Sequence, residues 1–251
     1  MERNIWRQSY GSFARMKCPR CHNGALRMDT SSFAREEPPY NKFNDHEGGV
    51  FEAGRFKGFL RCNRPLCGEI VVLAGNYTTE YHDDYDHETE TPVTHEVTSY
   101  RPFMMCPAPE IIQYPSRLNK DSKEHLSRSF ALFWADYAAC ANRLRIVTEF
   151  LLDQLGIERK GKKGDEKNAR LDLFDRIELL KVARPGHEDA LNALRLVGNV
   201  GSHDGVVDFE DLLTCYEAIE DAMSELLEGR KAKLAERLKE IHERKGKPRA
   251  T

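Results

Sequence analysis

The chain has 251 residues, of which 40% are hydrophobic and 31% are charged, and its formal net charge is −3. This length accommodates one large domain or two modest ones, and the apolar content suffices for at least one core. The nearly balanced charge gives no general argument for a nucleic-acid or membrane partner. No apolar run approaches the ~20 residues of a transmembrane helix, and the first residues lack the apolar segment of a signal peptide. We therefore expect a soluble cytoplasmic protein without a membrane partner.

Four of the seven cysteines form two close pairs, Cys18 with Cys21 and Cys62 with Cys67. An odd cysteine count with three scattered residues does not fit a secreted disulfide framework. Zinc prefers four soft ligands in a tetrahedron, and a short turn between two cysteines presents two thiolates to one ion. We predict that these four cysteines bind a structural Zn²⁺ ion, because protein ligands would then fill all four positions.

Alternatives to this cysteine assignment remain open. The paired cysteines can instead be ordinary buried thiols, and His22 and His46 are reserve ligands. Among the scattered cysteines, Cys140 and Cys215 lie within helical patterns, where core packing is the default role of a free cysteine.

Short β-type segments and turns characterise residues 1–78. The β-branched segment at 70–74 precedes Gly75 and Asn76, which predicts a strand followed by a turn. The polar insert between the cysteine pairs predicts a long loop or a hairpin. We predict a small, β-rich, zinc-ribbon-like domain over 1–78.

Residues 79–119 combine an acidic run with several prolines. Seven acidic residues and no Lys or Arg lie between Glu80 and Glu96, and four prolines follow before residue 119. Prolines at this density disfavour a helix and favour extended chain. We therefore predict a linker over 79–119.

Helical periodicity begins near Asp121, which, like Ser122, can cap a helix. Apolar residues then recur at spacings of three and four until Gly156, which predicts one long helix with an alanine-rich middle. Further helices are predicted over about 170–182, from His187 to about 198, and after Val206 with Asp208 as a cap. Residues 120–228 thus predict an all-helical bundle.

The last predicted helix carries an apolar seam with the spacing of a bundle core. The seam consists of Leu212, Tyr216, Ile219, Met223 and Leu226. It resumes beyond Gly229 at Leu234, Leu238 and Ile241, within a charged helical extension over 229–251. Because these apolar residues would otherwise face water, we predict a homodimer.

Two polar clusters in the helical region are candidate functional residues. Arg145 and Glu149 are four residues apart and share a helix face. Asn199 and His203 are also one turn apart, with Arg195 a turn earlier. Such residues can bind a phosphodiester and move a proton. The structural alternative is that Arg145 and Glu149 form an ion pair, while Asn199 and His203 bond exposed backbone.

Gly198 and Gly201 flank these residues, and each costs about 1 kcal/mol relative to alanine inside a helix. Close approach of a helix, a second subunit or a phosphate to the backbone would explain both glycines. The polar neighbours favour a subunit or a phosphate over core packing.

The segments SFALFWADYAACANRLRIVTEFLLDQLGI, LFDRIELL and ALRLVGNVGSHDG resemble a bacterial family catalogued as domain of unknown function 4145, over about residues 107–228. That family is grouped with HEPN helical-bundle domains. Many HEPN domains are metal-independent ribonucleases of toxin and phage-defence systems, and they work as dimers with the site at the subunit interface. Asn199 and His203 match the Asn and His of the HEPN motif, and Glu149 resembles an acidic residue of an earlier helix. Gly198 stands where the motif has arginine.

Together with the cysteine pairs, the resemblance implies an α+β protein, with a small β-rich zinc-ribbon-like domain followed by an all-α HEPN-like bundle. It implies a role in nucleic-acid transactions such as phage defence, through RNA binding or metal-independent RNA cleavage. His203 would be the general acid/base, Arg195 and Arg145 would bind phosphate, Asn199 would orient it, and Glu149 would hold an arginine. The alternative is a non-catalytic adaptor whose bundle dimerises or docks a protein partner.

Overall fold

The computed structural model describes residues 1–39, 51–86 and 91–247. The chain divides into two compact units. The β unit contains Glu2–Ile111 and Phe130–Asp136, and the helical unit contains Met1, Ile112–Ser129 and Tyr137–Thr251. The architecture is α+β, as the sequence predicts. None of the helices in the described part of the chain is both long and apolar enough to cross a membrane.

The β unit is built on a four-stranded antiparallel sheet in which neighbours along the chain are neighbours in the sheet. Its strands are β1 (Leu26–Glu36), β2 (Phe51–Cys62), β3 (Ile70–Asp86) and β4 (Thr91–Cys106). β1 and β2 form the two arms of the predicted hairpin between the cysteine pairs. Residues 40–50, between these arms, lie outside the described residues.

The predicted linker over 79–119 is wrong for most of its length. β3 runs to Asp86, and β4 occupies Thr91–Cys106. Prolines 92 and 102 are tolerated because β4 is the last strand in the order of the sheet, where one side of the backbone needs no ladder partner. The β-rich region therefore extends well beyond residue 78.

The predicted turn at Gly75 is also wrong, because β3 continues through it. A Cβ atom at Gly75 would lie 2.3 Å from the Arg101 carbonyl oxygen and 2.5 Å from the Phe56 ring. The pairing of β3 with β4 shifts register between Ala74 and Gly75. Glycine is needed here for close approach at a bulge inside the strand.

Aromatic packing in the β unit explains why the predicted long helix is broken. The Phe133 ring lies 5.9 Å from Trp6 and 5.0 Å from Trp134, both in edge-on geometry. Phe133 and Trp134 are buried. The chain leaves helical geometry at 133–136, where these two side chains pack within the β unit. The sequence pattern is helical on both sides of this break.

The helical unit contains most of the helices and a short hairpin. The helices are α1 (Lys120–Leu132), whose residues from Phe130 onward belong to the β unit, α2 (Tyr137–Gln154), α3 (Leu173–Ala183), α4 (Glu188–His203), α5 (Phe209–Glu228) and α6 (Arg230–Glu243). The hairpin strands are β5 (Lys160–Lys163) and β6 (Glu166–Arg170), and they lie between the predicted helix that ends at Gly156 and the one that begins near residue 170.

The capping residue of α5 is the one that the sequence predicts, and the capping residue of α1 is a different one. The Asp208 carboxylate accepts hydrogen bonds from the backbone N–H groups of Glu210 and Asp211, as a cap should. At α1 the Asn119 side chain accepts from the Ser122 N–H at 2.7 Å. The capping residue is therefore Asn119, rather than Asp121 or Ser122.

The predicted seam of α5 is buried from Leu212 to Leu226, and the buried side chains Leu144, Val147 and Leu151 of α2 also belong to this core. The later part of the seam differs. Leu234, Leu238 and Ile241 on α6 are 49%, 47% and 46% exposed. Gly229, in left-handed conformation, separates α5 from α6. The core seam ends there.

Gly198 and Gly201 allow α4 to pack closely against α2. A Cβ atom at Gly198 would lie 2.6 Å from the Arg145 Cβ, and one at Gly201 would lie 2.8 Å from the Ala138 carbonyl oxygen. Close approach is thus the reason for both glycines. The expectation that a subunit or phosphate approaches them is replaced by helix packing within the chain.

Candidate functional site

Two turns present the paired cysteines. In the first, the His22 N–H donates to the Cys18 carbonyl at 3.0 Å, and His22 has a φ of 55°. In the second, the N–H groups of Cys67 and Gly68 both donate to the Arg64 carbonyl at 3.0 Å. Gly68 has a φ of 59°, a backbone conformation that glycine adopts without strain.

The four sulfur atoms lie together as the spacing predicts. The Sγ atoms of Cys18 and Cys67 are 3.7 Å apart, as are those of Cys21 and Cys62. All four lie within 4.8 Å of one another, and the cluster can hold a metal ion. A tetrahedral ion with Zn–S distances of about 2.3 Å would separate its sulfurs by roughly 3.8 Å. The donor set and its spacing therefore fit such an ion.

The surroundings of the sulfurs differ from one cysteine to the next. Burial raises the pKa of the Cys18 thiol to about 12. Hydrogen bonds from backbone N–H groups, above all that of Asn23, lower the pKa of the Cys21 thiol to about 6. A bound divalent cation favours the thiolate form of every sulfur that contacts it.

Gly24 and Asn63 bring the two turns together, and the sequence analysis missed both. A Cβ atom at Gly24 would lie 2.4 Å from the Cys62 Sγ. The Ala25 N–H donates to Asn63 Oδ1 at 2.8 Å, and the Asn63 N–H donates to the Ala25 carbonyl at 2.9 Å. The glycine three residues after Cys21 was the available signal. Any larger residue would displace Cys62.

Of the two reserve ligands, His22 does not join the sulfur cluster. The His22 Nδ1 lies 3.1 Å from Glu110 Oε2, and His46 lies outside the described residues. Of the scattered cysteines, Cys140 and Cys215 are buried as predicted, and Cys106 is exposed. The Cys140 Sγ lies 3.0 Å from the hydroxyl of the buried Tyr216.

The polar residues of α2 and α4 are held in local pairs. Arg145 donates to Glu149 at 2.7 Å in a half-buried ion pair. Arg195 donates to Asn192 at 3.1 Å, and its guanidinium lies 5.3 Å from the centre of the Phe174 ring. The ion pair is the structural alternative that the sequence analysis left open, and it also agrees with Glu149 holding an arginine.

His203 is exposed on the last turn of α4, and Asn199 is half-buried one turn earlier. Gly201, two residues before His203, contacts Ala138 near the start of α2. His203 therefore lies toward the N-terminal end of α2. Glu149 is eleven residues beyond Ala138, roughly 16 Å along the helix axis. Within the described residues no hydrogen bond or ion pair links His203 to Asn199 or Glu149. One chain thus does not bring His203 and Glu149 together.

Comparison with known proteins separates the same two regions. A family described as Domain of unknown function (DUF4145) matches residues 127–244, and a family described as Domain of unknown function (DUF8608) matches residues 8–104. The first match agrees with the resemblance carried by the helical sequence. No curated protein and no solved structure matches the chain. The chain is therefore similar, region by region, to two domains of unknown function.

Proposed function

We propose that the protein is a zinc-stabilised, HEPN-like protein that acts in RNA transactions. The observation that carries the zinc assignment is the cluster of Cys18, Cys21, Cys62 and Cys67 within 4.8 Å. Four thiolates leave no coordination position for a substrate, so the ion has a structural role. Its binding free energy would stabilise the β unit.

The identity of the metal is tested by X-ray absorption at the zinc and iron edges, since four thiolates in a tetrahedron also suit iron. We expect a zinc signal with four sulfur neighbours at about 2.3 Å. An iron signal, or a zinc ion with nitrogen or oxygen neighbours, would contradict the assignment of a four-cysteine zinc site.

The RNA role is supported by the exposed His203 and half-buried Asn199 at the end of α4, at the positions that match the HEPN motif. His203 would exchange a proton with the attacking or leaving hydroxyl group of the RNA. Asn199 would orient the phosphate, and Arg195 and Arg145 would bind it. His203 and Glu149 lie apart within one chain. A catalytic site that contains both residues therefore requires two subunits. Phage defence is the setting that the resemblance favours.

Incubation of the purified protein with total RNA tests this proposal. We expect cleavage that His203→Ala abolishes and that the control His242→Ala leaves intact. His242 is matched to His203, since both are exposed and lie in the last turn of a helix. Equal cleavage by both variants, or no cleavage by the unaltered protein, would contradict catalysis by His203. If the protein binds RNA without cleaving it, RNA binding without catalysis remains as the proposed function.

A second candidate function is a non-catalytic adaptor that dimerises or docks a protein partner. Its support is the exposed apolar seam of Leu234, Leu238 and Ile241 on α6. Light scattering at tens of micromolar tests the self-association that we propose. The unaltered chain should be a dimer, and Leu238→Glu should give a monomer. A monomeric unaltered chain would contradict the homodimer.

A further inference from the structure

The outward face of the four-stranded sheet carries apolar side chains at the end where the cysteines lie. Buried and exposed residues alternate along β2 and β3, and Phe59 is directly opposite Val72 across these two strands. Both are exposed, so they share the face that points away from the buried core. The outer patch, as we name it, consists of Phe59, Ile70, Val72 and Met104, which are 38%, 41%, 40% and 39% exposed.

Strand pairing makes the outer patch continuous. Ile70 and Val72 are two residues apart on β3 and therefore point to the same face. Their cross-strand and diagonal neighbours include Phe59 on β2 and Met104 on β4. Such neighbours lie about 5–8 Å apart, within reach of large side chains. Apolar residues scattered singly over a surface need no explanation, whereas a continuous exposed patch marks an interaction site.

Positive side chains surround the outer patch. Five of them lie on the same face of β1, β2 and β4, namely Arg27, Arg55, Lys57, Arg61 and Arg101. Two carboxylates, Asp29 and Glu36, share this face, and Asp29 accepts a hydrogen bond from Arg61 at 2.6 Å. Five cations against two carboxylates leave an excess of three positive charges around the patch.

Three of these cations have no anionic partner among the described residues. Arg27, Lys57 and Arg101 are exposed and make no hydrogen bond or ion pair there. The guanidinium group of Arg61 lies 5.9 Å from the centre of the Phe59 ring, so a positive charge borders directly on the patch. A partner that covers the outer patch therefore meets positive charge at its rim, and negative charge on the partner would be complementary.

Charge disfavours the exposed elements of this chain as the occupant of the outer patch. Two copies packed patch to patch would bring the same cations together, and like charges that face each other oppose association. The outer part of β3 is acidic, but its Glu80 and Asp84 would set carboxylates against apolar side chains. The exposed seam of α6 lies on a helix that is itself basic, with Arg230, Lys231, Lys233, Arg237 and Lys239.

We propose that the outer patch docks an acidic amphipathic helix of a partner protein. The apolar face of a sheet is stably buried by packing against another element of secondary structure, and a helix satisfies its own backbone hydrogen bonds. The apolar stripe of the helix covers the outer patch, and carboxylates along its flanks meet cations such as Lys57 and Arg101. RNA fits less well, because bases stack on aromatic rings and Phe59 is the one aromatic residue of the outer patch.

This inference rests on the adaptor function and gives it a docking surface and a partner of defined chemistry. It is independent of the homodimer through α6, because the outer patch lies in the β unit. A monomeric chain in light scattering would therefore leave the docking surface standing. Failure of the outer patch to bind an acidic helix would leave the homodimer and the role of His203 untouched.

Selection from a displayed library of helical peptides tests the proposal with the full chain. Each peptide carries a stripe of leucines, and every other position is Glu or Lys at random. Fluorescence anisotropy then measures the affinity of the selected peptides for the unaltered chain, for Val72→Glu and for the control Val97→Glu. Val97 is also an exposed valine of this sheet, but it lies opposite Glu80, roughly 26 Å from Val72 along the strand direction.

Two further variants separate the contributions of charge and of location. Lys57→Glu keeps every apolar side chain of the outer patch and reverses one charge at its rim. Leu238→Glu alters the exposed seam of α6, which is basic as well and could attract the same peptides. Near-ultraviolet circular dichroism checks that each variant folds.

We expect the selected peptides to be enriched in Glu over Lys. They should bind Val72→Glu at least tenfold more weakly than the unaltered chain and should bind Val97→Glu and Leu238→Glu as well as the unaltered chain. Lys57→Glu should reduce the preference for Glu. Enrichment of Lys, no enrichment, equal affinity for Val72→Glu and Val97→Glu, or loss in Leu238→Glu alone would overturn the proposal. So would an oligouridylate that binds more tightly than the peptides and loses its affinity in Val72→Glu, since the outer patch would then be an RNA surface.

Discussion

The β unit and the helical unit differ in what stabilises each of them internally. The β unit carries a cluster of four sulfurs at one end of its sheet, in addition to a buried apolar core that includes Leu60, Val71 and Leu73. The helical unit buries a continuous apolar seam along α5 and the inner face of α2. Close contacts through Gly198 and Gly201 add to this packing.

This difference shows that one chain can combine two sources of stability. Packing of apolar side chains depends on shape and area, whereas a structural metal site concentrates its stabilisation in a few bonds. A treatment that removes metal should therefore act on the β unit, and a change in side-chain shape at α2 and α4 should act on the helical unit.

Removal of metal by a strong zinc chelator should unfold the β unit and spare the helices. Binding of structural zinc is worth on the order of 10 kcal/mol, similar to the whole stability of a domain. The near-ultraviolet circular dichroism signal of Trp6, Phe133 and Trp134 should be lost, while most of the helical signal at 222 nm remains. Added zinc should restore the signal. Loss of both signals together would contradict independent stabilisation of the two units.

Gly24→Ala should weaken metal binding at least tenfold, because the new Cβ would lie 2.4 Å from the Cys62 Sγ. Competition with a chromophoric chelator measures the affinity. Gly11→Ala is the control, since the nearest atom to a Cβ at Gly11 is 4.0 Å away. Unchanged affinity in Gly24→Ala would show that the two turns can separate without loss of the site.

Gly201→Ala should destabilise the helical unit by about 1–3 kcal/mol, since its Cβ would lie 2.8 Å from a backbone oxygen of α2. The higher helix propensity of alanine offsets part of this cost. Denaturant unfolding followed at 222 nm measures the change in stability. Val200→Ala alters an exposed side chain of the same helix and is the control, which should change stability little. Metal affinity should remain unchanged. A stabilised Gly201→Ala would contradict the close approach of α4 to α2.

Asp208→Ala should lower the stability of the helical unit by about 1 kcal/mol, because the carboxylate accepts two backbone hydrogen bonds at the start of α5. Asp208→Asn keeps an acceptor and should change stability much less. The same denaturant experiment measures both variants. An equal loss in the two would indicate that the charge of Asp208, and not its hydrogen bonds, matters at this position.

The sequence predicted the features that depend on local spacing. The four cysteines, the Asp208 cap and the α5 seam follow from short-range patterns. Features set by long-range contacts were missed. The break between α1 and α2 arises from packing of Phe133 and Trp134 near Trp6, and residues far apart in the sequence carry no periodic signal for such a contact.

The strand β4 and the part of β3 after Gly75 were hidden by their composition. Their outer halves are polar and acidic, and β4 contains Pro92 and Pro102, so the pattern resembled a linker. Such a pattern is compatible with a strand when the strand ends the sheet and its side chains face water.

Elemental mass spectrometry of the purified protein measures directly whether the four cysteines bind zinc. Protein purified without chelator should contain about one zinc ion per chain. Cys62→Ser should lose at least nine-tenths of it, and Cys106→Ser, which changes an exposed cysteine outside the cluster, should retain it. A chain without zinc, or a Cys62→Ser variant with the zinc content of the unaltered protein, would show that the four cysteines do not form a zinc site.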